Sequence, residues 1–415
     1  MFKTTRVEAF TEVSIKEWTD WKWQVRNRIT TVERLREVFP QISNKEASSI
    51  QEVLGRFRMA ITPYYASLID INNQYCPVRL QAIPCKKELY HAPGDMRDPL
   101  EEDRDMIAPG LTHRYPDRVL MLVTDICNMY CRHCTRRRLV GEQDVAYTKE
   151  MVKTQIEAIQ ERPQIRDIII SGGDPLTLGD EALESILKQL RAIKHIEIVR
   201  LGTRSPAVNP FRITRTLVKM LRKYHPLYIN THFNHYKELT PEAVEACERL
   251  SDAGIPVGNQ SVLLRGVNDC PCVMKKLVHE LLKARVRPYY IYQCDLSQGI
   301  SHFRTAVGRG IEIIEALRGH TSGLAVPTYV VDCPAGGGKV PLLPDYVLSR
   351  SDDKVILRNY EGKITAYREP TPAESVCGHD PACREEQYTA KHGPARLLAE
   401  SNLAIEPSFR KLEQH

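Results

Sequence analysis

Three cysteines, Cys127, Cys131 and Cys134, stand within eight positions in the spacing C-x3-C-x2-C. Three thiolates so placed can hold three corners of an iron–sulfur cube. The fourth iron then stays open to a non-protein ligand, which points to chemistry rather than plain electron transfer. Zinc is the competing reading, and would need His133 or a remote residue to complete four ligands. A disulfide would leave one thiol over, and three buried inert thiols are the bland alternative.

Two further stretches carry chemistry-bearing residue types. Ser171-Gly172-Gly173-Asp174 lets the backbone approach a small ligand closely, although Gly-Gly-Asp is also an ordinary turn. Ala335-Gly336-Gly337-Gly338-Lys339 invites a phosphate-loop reading that fails, because Cys333 stands where the first glycine belongs and Val340 where Ser or Thr is required. What remains is a lysine on a glycine-rich loop. An amine of depressed pKa at a desolvated mouth is a competent Schiff-base former, and a surface lysine is its plain alternative.

The elements that must position these residues follow from periodicity. Strands are expected at 118–124, 166–171, 196–202, 226–231, 256–263, 286–292 and 325–331, with helices at 148–161, 180–192, 211–224, 240–253, 271–284 and 308–318. Such alternation implies an α/β fold of parallel strands with right-handed crossovers, and six or more regular units favour a partial TIM-like barrel over an open doubly wound sheet. In such a barrel the site gathers at the C-terminal strand ends. The cysteine loop, Gly172 to Asp174, Thr203 with Arg204, His232 with Asn234, Asp295, Asp332 and Lys339 all fall at or beyond those ends, and Gln260 lies within strand five.

Residues 1–107 read as a helical region. Ser14 and Glu17 form a candidate capping box ahead of Trp18, Trp21, Val25 and Ile29, and a second helix over 44–54 ends at Gly55. The segment 57–70 is apolar enough to pack on a neighbouring domain, and 77–102 suits an extended arm or a wrap around a partner subunit. Residues 108–345 form the barrel. Residues 346–415 form a C-terminal extension, with a hairpin around Glu361-Gly362.

The run TDICNMYCRHCTRR resembles the radical S-adenosylmethionine (SAM) superfamily, and within it the lysine 2,3-aminomutases; the resemblance runs to about residue 370. It implies a 4Fe–4S cluster on Cys127, Cys131 and Cys134 whose open iron binds SAM. It further implies SAM contacts from Gly172, Gly173, Asp174, His232 and Gln260. Asp332-Cys-Pro-Ala-Gly-Gly-Gly-Lys339 matches the loop whose lysine binds pyridoxal 5′-phosphate (PLP), with Arg114 and Arg118 on the phosphate. Arg136 would take the substrate carboxylate, and Asp295 with Asp332 its far ammonium, since paired carboxylates in a low-dielectric pocket repel an acidic side chain. The glutamate-specific relatives lack that pair, so L-lysine is the expected substrate and arginine the alternative. The family's zinc site suggests Cys270 (or Cys272), Cys377, His379 and Cys383, with a histidine where the family has a middle cysteine. A zinc-stabilised binding module is the reading from another class.

Composition sets bounds. The 415 residues carry 58 Lys and Arg against 52 Asp and Glu, a net charge of +6 that gives little support to a nucleic-acid partner. No apolar run approaches the roughly 20 residues of a membrane span. The 12 cysteines without a secretory leader favour a reducing cytoplasm. The N-terminal arm and the zinc arrangement favour a homo-oligomer, and a low-potential electron donor such as flavodoxin or ferredoxin would reduce the cluster.

Overall fold

The computed structural model describes residues 5–140, 145–334, 336–351 and 353–369. Residues through Pro344 form one compact unit, and Asp345 onward a second.

The first unit is built on a ten-stranded sheet whose spatial order follows the chain. It opens with β1 (Met106–Ala108), β2 (Leu111–Tyr115) and β3 (Arg118–Leu122), joined antiparallel. From β3 the pairing turns parallel through β4 (Asp167–Ser171), β5 (Ile198–Gly202), β6 (Leu227–Thr231), β7 (Val257–Leu263), β8 (Arg287–Gln293) and β9 (Thr328–Cys333). A short β10 (Gly338–Pro341) returns antiparallel on β9, pairing Lys339 with Asp332. Seven parallel strands, open at the flanks, make the partial barrel that the alternation predicts.

Helices at Lys149–Gln160, Asp180–Arg191, Arg215–Leu221, Pro241–Asp252, Pro271–Lys283 and Val307–Leu317 connect the parallel strands. Thr148, Thr214 and Thr240 cap three of them by accepting the backbone N–H three residues on, worth about 1 kcal/mol each. The core is aliphatic: Ile168, Ile170, Val199, Leu201, Leu227 and Ile229 are fully buried. Close packing has a specific demand at Gly310, where an added Cβ would sit 2.2 Å from the Tyr329 ring.

The N-terminal region differs from its periodicity in one place. The expected helix after Ser14 breaks into Ile15–Trp18 and Trp21–Arg26, because Asp20 caps a new start by accepting the Lys22 N–H. The helix Asn44–Leu54 with Gly55 at its end forms as the sequence predicts. The segment 57–70 buries Met59, Ile61, Tyr64, Tyr65 and Leu68, and its tyrosines bond to Thr240 and Glu238 of the barrel.

The stretch 77–102 corrects an expectation. It is not an extended arm. It forms a helix at Pro77–Ala82 and a 3-10 turn at Lys86–Leu89, and it turns Gln81, Glu88 and Glu102 inward. The reason is electrostatic: the arginines of the cysteine loop need buried counter-charges, and this stretch supplies them.

The second unit contains a three-stranded antiparallel sheet, β11 (Val347–Arg350), β12 (Lys354–Arg358) and β13 (Ile364–Arg368), which includes the predicted hairpin.

Candidate active site

Two adjoining cavities open at the C-terminal strand ends. The larger, about 600 Å³, is lined by the cysteine loop, Gly172 to Asp174, Thr203 and Arg204. The smaller, about 430 Å³, is lined by Arg114, Arg118, Asp295, Asp332, Lys339 and four tyrosines, Tyr115, Tyr289, Tyr290 and Tyr292. Their shared wall is made by Thr135, Arg136, Ser171, Gly202, His232 and Val262. The cysteines line one cavity and Lys339 the other, with that wall between them.

The cysteine loop is braced mainly by the N-terminal region. Glu88, fully buried, accepts from Arg132 Nε (3.0 Å) and Nη2 (2.6 Å) and from Arg137 Nη2 (2.6 Å). Arg132 Nη1 also donates to the Arg58 carbonyl at 2.6 Å, and Arg28 donates to the Cys127 carbonyl. Burial, and then the neighbouring thiols, push the Cys127 thiol well up, and the same causes push Cys134 up to about 11. Three half-buried thiols on one loop, all lining the same cavity, nevertheless fit an iron cluster, which would bind them as thiolates. Among the described residues no three His, Cys, Asp or Glu side chains converge on one metal ion.

The Gly-Gly-Asp segment serves the loop first. Gly172 holds φ +137°, and a Cβ there would lie 2.2 Å from the Thr124 carbonyl oxygen; at Gly173 it would lie 2.2 Å from that of Ile126. The glycines thus make a close approach to the segment between β3 and the first cysteine. Asp174 is buried and accepts from Thr203 Oγ1 (2.7 Å), Ser205 Oγ (3.0 Å) and the Arg204 and Leu176 N–H groups. Its carboxylate is committed to the β5 loop, while the residue itself lines the cysteine cavity.

His232 borders both cavities; its Nδ1 lies 2.9 Å from the Gln260 carbonyl, and burial brings its pKa down to about 4. It is therefore neutral at pH 7. The Gln260 side chain lines the smaller cavity and donates to Tyr292 Oη at 2.9 Å. Gln260 thus shares the cavity of Lys339 and is not among the lining of the cysteine cavity.

In the smaller cavity Lys339 Nζ lies 3.2 Å from Asp332 Oδ2, and 5.5 Å from the centre of the Tyr292 ring. Asp295 accepts from Thr135 Oγ1 at 2.5 Å. Burial pushes its pKa up to about 6; Asp332 adds to the rise, while Thr135, Lys339 and Arg136 oppose it. Arg118 stacks on Tyr115 at 4.4 Å, partly exposed, with Nε 3.7 Å from Asp117 Oδ1. Arg114 is tied to Asp105 (2.7 Å) and to the Leu100 carbonyl, so one edge of its guanidinium is already used. The aromatic wall, the amine and the cations together fit a flat, anionic cofactor such as PLP.

Sequence reasoning missed two participants and gave a third no specific role. Glu102 accepts from Arg136 Nε (2.9 Å) and Nη2 (2.7 Å), and Thr135 holds Asp295. Arg204, which the sequence places just past its strand, reaches Cys131. Thr135 carried a signal in its position beside Cys134, whereas Glu102 is brought in by tertiary folding. Of the suggested zinc ligands, Cys270 is exposed at the start of the helix Pro271–Lys283, as is Cys272. Cys377, His379 and Cys383 lie outside the described residues.

Comparison with known proteins fixes the lineage. The family model described as Radical SAM superfamily matches residues 121–274, and that described as Lysine-2,3-aminomutase matches 314–414, well past the point near 370 where the resemblance was expected to end. The chain is 57% identical over 402 residues to L-lysine 2,3-aminomutase of Clostridium subterminale, covering 97% of this chain and 96% of that one. The chain belongs to the lysine 2,3-aminomutase family. The L-lysine 2,3-aminomutase of Bacillus subtilis is 55% identical over 364 residues, covering 88% and 77%. A glutamate 2,3-aminomutase of Clostridioides difficile is 50% identical over 349 residues, covering 84% and 82%. Family membership gives the radical SAM barrel and an isomerase. The choice of amino acid rests on the pocket.

Proposed function

We propose that this chain is an L-lysine 2,3-aminomutase, interconverting L-α-lysine and β-lysine with a 4Fe–4S cluster, SAM and PLP. The observation that carries the reading is the shared wall: Cys127, Cys131 and Cys134 stand on one side of it, and Lys339, Asp295 and Asp332 on the other. Bound there, the reduced cluster with SAM supplies hydrogen-atom abstraction, and PLP supplies a conjugated system across which an amino group can move between adjacent carbons.

The chain's own residues do the positioning. The three thiolates would hold the cluster, and Gly172 and Gly173 would present their backbone, with His232, to SAM. The Lys339 amine would carry PLP, with Arg118 and the remaining edge of Arg114 on its phosphate. Asp332 holds the Lys339 ammonium in the free protein. Once that amine engages PLP, Asp332 is left to pair with the ε-ammonium of the substrate, together with Asp295. Arg136 would clamp the α-carboxylate, its guanidinium plane fixed by Glu102. Two half-buried carboxylates lining one cavity attract lysine and repel glutamate, which favours lysine over the glutamate-specific relatives.

A cytoplasmic homo-oligomer reduced by a flavodoxin- or ferredoxin-like donor fits this chemistry. A substrate panel tests the assignment: anaerobic assays with dithionite, SAM and PLP should give β-lysine from lysine, and far less product from arginine or glutamate. Turnover of arginine without lysine would move the assignment to another cationic amino acid.

A further inference from the structure

The loop after β5 places a cation against one of the three cysteines. Arg204 Nη1 donates to Cys131 Sγ at 2.7 Å. The rest of the guanidinium is pinned: Nε donates to the His232 carbonyl (3.1 Å), and Nη2 to Gln81 Oε1 (2.6 Å) and Glu238 Oε1 (2.7 Å). Its backbone N–H donates to Asp174 Oδ2 at 3.0 Å. Glu238 is equally fixed, accepting from Tyr65 Oη (2.7 Å) and from the Asn234 and His235 N–H groups (2.7 and 2.8 Å). Arg204 and Glu238 are both buried, so this charge can neither swing away nor be screened by water.

We propose that Arg204 is a positioning residue for reduction: its hydrogen bond and fixed charge on Cys131 make the cluster easier to reduce. The proposal rests on the reading that Cys127, Cys131 and Cys134 hold a 4Fe–4S cluster. In the step concerned the cluster takes one electron from an external low-potential donor and passes from the 2+ to the 1+ state. No bond is made or broken. The added negative charge spreads onto the sulfurs, and a donor aimed at one of them stabilises the reduced form more than the oxidised form. Glu238 tempers the effect, since its carboxylate lies on the far side of the same guanidinium.

That geometry predicts shifts of opposite sign. Removing the cation in Arg204→Gln should lower the cluster potential, and neutralising the counter-charge in Glu238→Gln should raise it. Each change is expected at about tenfold in the reduced-to-oxidised ratio at a fixed poise, equivalent to about 59 mV for a one-electron couple. Arg204→Lys should fall between wild type and Arg204→Gln.

The test is an anaerobic dye-mediated redox titration of the reconstituted full chain without SAM, followed by EPR of the reduced cluster, with iron and sulfide measured per chain. Opposite shifts at full iron content support the proposal. A potential unchanged in Arg204→Gln at full iron content overturns it, because a residue that merely braced the fold would change iron content or stability and leave the potential alone. If Arg204→Gln fails to assemble a cluster, Arg204→Lys and Glu238→Gln decide the matter, and no shift in either is equally fatal. Absence of a 4Fe–4S signal from wild type would instead refute the underlying cluster reading.

Discussion

Lys339 is the residue on which the smaller cavity turns, and its contacts say what its loss should do. Its amine touches Asp332 and the tyrosine rings, whereas Glu88, Arg28 and Arg58 brace the cysteine loop. Lys339→Ala should therefore abolish both activity and the covalent fixing of PLP by borohydride, while iron per chain stays at the wild-type level. Asp295 provides a second test through pH. Burial raises its pKa to about 6, so falling pH neutralises one of the two carboxylates proposed for the substrate ammonium. KM for lysine should rise as pH drops below about 6, by up to roughly tenfold per unit, and Asp295→Asn should flatten the profile. Stability runs the other way. A carboxyl raised by folding stabilises the fold where it is protonated, so that contribution is full below about 3.9 and is lost as pH rises through 6.

Among the elements, the stretch 77–102 matters beyond its length because it supplies counter-charges to the cysteine loop. Glu88 alone meets two buried guanidinium groups. Glu88→Gln would leave Arg132 and Arg137 buried with half their partner, a loss of roughly 3–5 kcal/mol for a broken buried pair. The expected result is a lower denaturation midpoint together with fewer irons per chain after reconstitution. A variant with wild-type stability and iron content would show that the bracing is dispensable. None of this pairing was legible from the sequence, where 77–102 read as proline- and charge-rich and therefore as an arm. Composition reveals that charges are present, but their partners lie across sequence gaps of 34 to 49 residues.

At the scale of the whole molecule, the alternating pattern was read closely because parallel strands buried on both faces leave continuous apolar runs, and their helices leave amphipathic ones. The seven parallel strands appear in the expected order, with ends that differ by a few residues. The short strands β1, β2 and β10 at the two flanks of the sheet were missed, since runs of three to five residues carry no readable alternation and acquire their pairing from the sheet they join. The site was legible to the extent that its residues follow strand ends. Their partners were not: Glu102 marks no pattern until the chain has folded, and Arg204, though placed at a strand end, gave no sign that it meets Cys131.

The central claim is that chemistry begun beside the three cysteines acts on a substrate held at Lys339. Its most direct measurement is anaerobic turnover of L-lysine deuterated at C3 by fully reconstituted protein, with mass analysis of the 5′-deoxyadenosine recovered from SAM. Deuterium in the deoxyadenosine, alongside β-lysine, is the predicted result. Unlabelled deoxyadenosine and unchanged lysine, from protein carrying both the cluster and PLP, would contradict it.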